Sequence, residues 1–418
     1  MHTSIPIHID ELRVGMFIQL PLSWMRHPFP TSNFRITSIE QISVLRGLGL
    51  TTLSYVPGKS LLRAASSVQQ TNAHQHPSAQ TGVATEAPTK SGTTSLPPTL
   101  RQPDCLERFQ EASNTYQEVT GLVAQQPMPA RMQAENLVQS CVTELIGLDS
   151  CVIRLLSECR SSAAASHAVN VMVLSLLLGQ TLKMDARQLA DLGLAALLHD
   201  IGKISMPLHI SEPGARLQPA QLQWYRGHVG ESVALGQQMD LPSDVLMAIA
   251  QHHERLDGSG YPLGLQGEDL FGGGQILALA NAYDRLCNPL QGQSALTPHE
   301  AVSTLYTQQQ HCFDAEVLGA FIRMMGVYPP GSLVQLIDGR HALVTKVNPQ
   351  HPLRPMVLAH APGQDSEPLD LSVMRELGVR RSLRPEQLPR VVLDALLPGT
   401  RICYYFERAA ALPAGGVL

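Results

Sequence analysis

The stretch Asp185-Ala186-Arg187-Gln188-Leu189-Ala190-Asp191-Leu192-Gly193-Leu194-Ala195-Ala196-Leu197-Leu198-His199-Asp200 reads as an amphipathic helix. Leu189, Leu192, Ala196 and Leu198 give it an apolar face, and Asp185 with Gln188 has the spacing of a capping box. It runs into the polar sequence Ile201-Gly202-Lys203. The same periodicity extends outward on both sides. Upstream, Asp104 and Glu107 have capping-box spacing, followed by Phe109, Ala112, Tyr116 and Val119 at helical intervals. Helical text then covers 131–147, 149–160 and 164–182, and downstream 219–238, 242–253, 273–287, 298–309 and 314–325. No βαβ unit repeats, so this region is predicted to be all-α.

The flanks read differently. Residues 1–59 are predicted to be a small accessory module, β or α+β. Ile5 to Ile9, Met16 to Leu20 and Thr51 to Val56 have strand character, and Ile42, Leu45 and Leu48 mark a short helix. Residues 60–104 are rich in Ser, Thr and Pro, lack aromatic residues and are read as a flexible linker. The helical domain spans 105–330. Beyond it, 331–418 is predicted to be a β-rich appendage. It opens with a hairpin, Leu333 to Ile337 and Ala342 to Val347, closed by a type I′ turn at Asp338-Gly339.

Composition limits the function classes. Thirty Lys and Arg against 35 Asp and Glu give a net charge of −5, which argues against a nucleic-acid polymer as partner. The longest apolar run, Val171 to Leu178, is too short for a membrane span, so no membrane insertion is expected. The N-terminus lacks an export pattern and the seven Cys contain no CxxC pair; a cytoplasmic protein with reduced thiols is expected.

Sixteen His is the unusual count. His199 and Asp200 end one helix, His167 begins another, His228 lies in a polar segment, and His252-His253 ends a third. Each alone reads more readily as a hydrogen-bonded structural residue, and Lys203 alone as a solvated cation at a helix end. Together they supply what a pair of divalent ions needs: imidazole nitrogens, and a carboxylate whose two oxygens can bridge. Side chains on adjacent helical residues point about 100° apart, so His199 can hold one ion while Asp200 lies between two. Lys203 follows on the same face, placed for a substrate phosphate.

Three runs carry a family resemblance: Leu197-Leu198-His199-Asp200-Ile201-Gly202-Lys203-Ile204, Gly227-His228-Val229-Gly230, and His252-His253-Glu254-Arg255-Leu256-Asp257-Gly258-Ser259-Gly260-Tyr261-Pro262-Leu263-Gly264-Leu265. Over about 150–326 the chain resembles the HD-GYP family, a branch of the HD metal-dependent phosphohydrolases that hydrolyses cyclic di-GMP in bacteria. The flanking segments resemble an uncharacterised N-terminal module and a C-terminal extension found with one class of these proteins. The resemblance implies an all-helical HD-type domain and hydrolysis of cyclic di-GMP to linear pGpG, with GMP open as a further product. It implies two divalent ions, Fe or Mn first, with Zn, Co, Ni and Mg as further candidates. It makes His167, His199, Asp200, His228, His252 and His253 metal ligands and Lys203 a phosphate contact, with Asp200 and Lys203 as the catalytic pair. Gly260-Tyr261-Pro262 becomes a loop for substrate-edge or partner contacts; protein partners are expected there or on the N-terminal module.

The sequence departs from the family pattern in three places. Where an Ala-Asp-x-Tyr-Asp-Ala-Leu pattern is expected, it has Ala280-Asn281-Ala282-Tyr283-Asp284-Arg285-Leu286. Asn281 is thus a weak or lost ligand, and Asp284 is expected to support the helix or a ligand histidine from behind. A basic Arg-Pro-Tyr-Arg-like element is missing from Cys287 to Gln293. Ala163 stands where trinuclear members carry a glutamate, so no third ion is expected. These departures leave a second reading open, a catalytically impaired signalling protein acting by nucleotide binding or protein contact. A third is hydrolysis of another phosphoester by the same metals.

Overall fold

The computed structural model describes residues 4–21, 33–36, 42, 45, 46, 50–60, 105–147, 151–156, 161–213, 217–289, 294–348, 351–361, 366–374, 376–396 and 401–408. The predicted cap residue Asp104, the linker from 61 and most of the predicted 39–48 helix lie outside them. The chain divides into two compact units, 1–23 with 31–103, and 24–30 with 104–418.

The first unit contains a four-stranded antiparallel sheet in the order Ile5–His8, Thr52–Tyr55, Phe17–Gln19, Asn33–Arg35. Ile18 and Leu53 are buried, as period-two alternation requires of a sheet with one covered face.

The second unit is mostly helical. Local chemistry sets several of its helix starts. Asp185 and Gln188 form the expected capping box ahead of Ala186–Leu198. Ser162 caps Ala163–Thr181, and Thr297 with Glu300 caps Pro298–Thr307. Helix Ala163–Thr181 is apolar nearly all round and long enough to cross a membrane by length and composition, yet 83% of its apolar window is buried inside the unit. Around it pack Cys105–Leu122, Ala186–Leu198, Gly272–Cys287 and Ala315–Met325, and Pro127–Ile146 packs on the first two of these. The predicted 219–238 helix is two, Pro219–Arg226 and His228–Gln238, separated at Gly227. Glycine is a poor residue for carrying a helix through such a point.

Two sequence expectations are corrected. The segment 149–160, expected to be helical, contains the strand Cys151–Leu156. Its apolar residues are buried on both faces, and a short, fully buried apolar run has no period to distinguish strand from helix. The hairpin Leu333–Leu336 to His341–Lys346 is present, but its turn is not type I′. Leu336 pairs with Arg340 by a 2.8 Å backbone hydrogen bond, leaving a three-residue loop in which Gly339, but not Asp338, has positive φ. A type I′ turn needs positive φ at both central positions.

Strand Cys151–Leu156 pairs antiparallel with the C-terminal strand Cys403–Arg408 along its whole length, and one seven-stranded sheet runs on into the 333–383 strands. Tyr404 and Phe406 are fully buried in the same core as the helices. The C-terminal strand is therefore part of the helical core rather than a surface addition. Phe406→Ala should lower the unfolding free energy of the unit by about 3–5 kcal/mol, read from chemical denaturation. An effect below about 1 kcal/mol would mean that the strand does not belong to this core.

Candidate metal centre and active site

Every histidine and aspartate singled out as a ligand from the sequence lies in one buried cluster at the ends of four helical segments. His167 occupies the second turn of Ala163–Thr181, and His199-Asp200 follow Ala186–Leu198. His228 opens His228–Gln238, and His252-His253 follow Ser243–Gln251. His199 and His228 are fully buried, and His167, Asp200 and His252 nearly so.

Hydrogen bonds behind the rings fix their tautomers. Nδ1 of His199, His228 and His252 lies 2.6–2.7 Å from the carbonyl oxygens of Ala196, Tyr225 and Ile249. A carbonyl only accepts, so each Nδ1 carries the proton and each Nε2 presents a lone pair. His167 Nδ1 lies 2.6 Å from Asp284 Oδ2, with the same result. The Nε2 atoms then face one another in pairs: His167 and His199 at 3.2 Å, and His228 and His252 at 3.3 Å. Two lone pairs at that distance repel unless a cation lies near both.

Asp200 joins the pairs. Its Oδ2 is 3.5 Å from Nε2 of both His167 and His199; its Oδ1 is 3.2 Å from His228 Nε2 and 3.7 Å from His252 Nε2. Two donor sets result, His167–His199–Asp200 and Asp200–His228–His252–His253. His253 Nε2, Asp200 Oδ1 and Asn281 Oδ1 are buried without a hydrogen-bond partner among the described residues. Such orphaned polar atoms are costly in a protein interior, and metal coordination accounts for them. The donor set therefore fits divalent ions.

The electrostatics keep the ligands in their metal-binding forms. Burial pushes the His167 and His252 imidazoles down to about 3, and those of His228 and His253 downward as well. Burial alone would raise the Asp200 carboxyl, but Lys203 and then His199 hold it well below the usual range. Lys203 Nζ is 2.6 Å from Asp200 Oδ2 and 3.0 Å from the Tyr225 hydroxyl oxygen, over whose ring it also sits.

Other neighbours were not foreseen as site residues. Arg285 donates to Asp200 Oδ2 at 2.8 Å, a second cation on the same oxygen. The expected pattern has alanine at that position, which was the available signal. Glu254, buried at the end of the His252-His253 run, accepts from the backbone N–H groups of Leu263, Gly264 and Leu265 at 2.7–3.2 Å and so folds the following loop. Within that loop Tyr261 stacks on His253, with centroids 4.5 Å apart, and the Arg226 guanidinium lies over the Tyr261 ring, 4.9 Å from its centroid. Gly260 is where the chain must come close: a Cβ there would lie 2.5 Å from backbone atoms of Glu254 and Arg255. Pro262 follows through a cis peptide bond. Asp257, His311 and Cys312 form a separate donor group, but Asp257 accepts from Ser259 and Cys312, and the group fastens the loop to 310–312. Asp284 takes the supporting role expected of it, and His299 is structural, bonded to the Val327 carbonyl.

The family model described as HD domain matches residues 150–317, which contain every ligand named above. This region is an HD domain, and it carries the motif runs that resemble the HD-GYP family. A second model, a domain of unknown function (DUF3391), matches residues 4–136. Three curated relatives are named cyclic di-GMP phosphodiesterases. One from Pseudomonas aeruginosa is 25% identical over 92% of this chain and 91% of its own length. PdeB of Borreliella burgdorferi is 26% identical over 46% of this chain and 50% of its own length. The response regulator RpfG of Xanthomonas campestris pv. campestris is 30% identical over 35% and 39%. The chain thus spans half or less of the latter two.

The geometry of the HD domain makes two substitutions informative. The turn carrying Asp200 is pressed against the His228 helix at Gly202, where a Cβ would meet His228 O at 2.4 Å and Ser232 N at 2.5 Å. Gly202→Ala should cost about 1–3 kcal/mol of stability and reduce bound metal, measured by denaturation and elemental analysis. Unchanged stability and metal content would show that the turn yields freely. At Asn281, an amide oxygen is a weaker donor to a divalent ion than a carboxylate. Asn281→Asp should tighten metal binding roughly tenfold in a titration; no gain would remove Asn281 from the coordination sphere.

Proposed function

We propose that this chain is a metal-dependent phosphodiesterase that hydrolyses cyclic di-GMP to linear pGpG, with GMP as a further product. The observation that carries this reading is the meeting of two histidine sets on the two oxygens of Asp200. Its support from outside the site is the set of relatives named cyclic di-GMP phosphodiesterases. In this reading His167, His199 and Asp200 hold one divalent ion, and Asp200, His228, His252 and His253 the other, with Asn281 a weak ligand. Fe or Mn suits the mixed nitrogen and oxygen donors first, and Zn, Co, Ni and Mg remain candidates. When bound, such ions lower the pKa of water and neutralise charge on a phosphoryl oxygen.

The chain's own residues do the rest. Burial keeps the imidazoles neutral, so they remain ligands at neutral pH. Lys203 and Arg285 now share the charge of Asp200; once cations occupy that carboxylate, both are available to a phosphate. The Tyr225 hydroxyl also accepts from the Lys203 ammonium. Both cations line a cavity that also reaches His167 and Asp200, and it is the place for the scissile phosphodiester. The reading keeps the division into a 1–59 module, a 60–104 linker, a 105–330 catalytic domain and a 331–418 extension. It assigns protein contacts to the Gly260-Tyr261-Pro262 loop, beside which Leu263 is 73% exposed, or to the N-terminal module.

One observation favours a second reading. Asn281 in place of a carboxylate, with Arg285 on Asp200, weakens the case for a fully loaded site, as in a signalling protein with impaired catalysis. The deciding experiment purifies the full chain anaerobically, counts its metals, and follows cyclic di-GMP by chromatography with added Mn²⁺ or Fe²⁺. Wild type should turn over; Asp200→Ala should lose both metal and hydrolysis while keeping its helical circular dichroism. If the metal-saturated wild type leaves cyclic di-GMP intact, the signalling reading replaces this one.

A further inference from the structure

The cavity beside Asp200 is lined by three cations from three parts of the chain: Lys203 after the His199-Asp200 pair, Arg285 from helix Gly272–Cys287, and Arg401 from the C-terminal extension. They do not stand alike. Lys203 and Arg285 are both paired with Asp200 Oδ2, at 2.6 and 2.8 Å. Arg401 forms no ion pair among the described residues, and the other carboxylate in the lining, Glu212, is not within ion-pair distance of it.

The backbone beside Arg401 is held from several sides. Asn288 clasps Ile402, donating to its carbonyl oxygen at 2.8 Å and accepting from its N–H at 2.9 Å. Asn170 donates to the same carbonyl at 2.8 Å and accepts from the Tyr404 N–H at 2.9 Å. Both asparagines also donate to Asp284 Oδ1, at 2.8 and 3.0 Å, while Asp284 Oδ2 receives His167. One network therefore orients a metal-ligand histidine and fixes the residue next to Arg401, and the chain continues into the buried strand Cys403–Arg408. An ordinary surface arginine would not be delivered to a catalytic cavity through four buried or half-buried hydrogen bonds.

We propose that Arg401, carried in by the C-terminal strand, is a substrate-positioning residue that binds a non-scissile phosphate or other anionic edge of a phosphodiester in this cavity. This rests on the phosphodiesterase reading above. Guanidinium groups suit the task because their forked donors match two phosphate oxygens at once. A group that binds substrate and transition state alike should act on KM and leave kcat in place.

The test compares Arg401→Ala, Arg401→Lys and Arg401→Glu in the full chain with saturating Mn²⁺. Two substrates are used, cyclic di-GMP and bis(p-nitrophenyl) phosphate, together with equilibrium dialysis of cyclic di-GMP. Loss of one charged hydrogen bond should raise KM, or the dialysis Kd, by about ten- to hundredfold in Arg401→Ala. Arg401→Lys should recover part of the loss and Arg401→Glu should be worse than alanine. Metal content and melting temperature should match wild type in all three, which a merely structural residue would not allow. Unchanged KM and Kd in Arg401→Ala overturn the proposal while leaving the phosphodiesterase reading intact. If wild type cleaves only bis(p-nitrophenyl) phosphate, the cyclic di-GMP reading falls; that diester has no second phosphate, so the dialysis Kd for cyclic di-GMP decides Arg401, and no binding by wild type overturns the proposal as well. If wild type neither binds nor cleaves either compound, both fall together.

Discussion

A buried carboxylate must be matched by positive charge, and in this protein that requirement falls on Asp200. Its two oxygens face two different histidine sets, and two cations already converge on one of them. Removing water from an ion is costly enough that such an arrangement persists only where partners are fixed. The partners here are fixed by helix ends. The last carbonyls of a helix have no partner within it. His199, His228 and His252 each use the carbonyl three residues earlier, at Ala196, Tyr225 and Ile249. Each ring is thereby held by the end of its own or the preceding helix, with Nε2 turned inward. Beside the break at Gly227, the Tyr225 carbonyl accepts from His228 Nδ1.

The balance of charge around the site differs from what a carboxylate at 281 would give. Asn281 adds no negative charge, while Arg285 adds a positive one close to Asp200. Burial opposes the Arg285 charge, but Asp200 more than offsets this and its pKa is raised. Both features lower the attraction for a second cation and raise it for an anion. A diester phosphate gains from this; the His167–His199 set, which shares Asp200 Oδ2 with both cations, loses. The two donor sets are thus unequal, with Asp200–His228–His252–His253 the more strongly built.

Much of this site is legible in the sequence because its candidate ligands lie at helix ends, which caps and periodicity mark well. Asp185 and Gln188 locate the start of the His199-Asp200 helix, and the structure shows that capping box. The role of Asp284 was readable for the same reason, since it lies three residues after Asn281 on one helix face. The strand Cys151–Leu156 was not readable, because its four buried residues fall in two adjacent pairs on either side of Arg154 and carry no period-two alternation. The hairpin turn was misread because Asp-Gly fits more than one loop, and register with the partner strand decides which. Arg285, Glu254 and Arg401 acquire meaning only from tertiary contacts. The first two fall within the motif runs, where a closer look at side-chain type gives a signal. Arg401 lies 201 residues beyond Asp200, and no local pattern ties the two together.

That long-range connection also explains why the extension shares a core with the helices. His167 needs a proton acceptor at Nδ1 to keep its other nitrogen free, and Asp284 supplies it. A buried aspartate needs donors in turn, which Asn170 and Asn288 provide. Those two amides have further hydrogen-bonding groups to satisfy, and the backbone of Ile402 and Tyr404 satisfies them. Each step is forced by the polar group left over from the one before. The chain of obligations ends at a strand whose aromatic residues, Tyr404 and Phe406, are fully buried and cannot easily move. The orientation of His167 is therefore anchored in the sheet. A substitution at Asn170 or Asn288 would be felt at His167 on one side and at Arg401 on the other, although neither asparagine belongs to a candidate donor set.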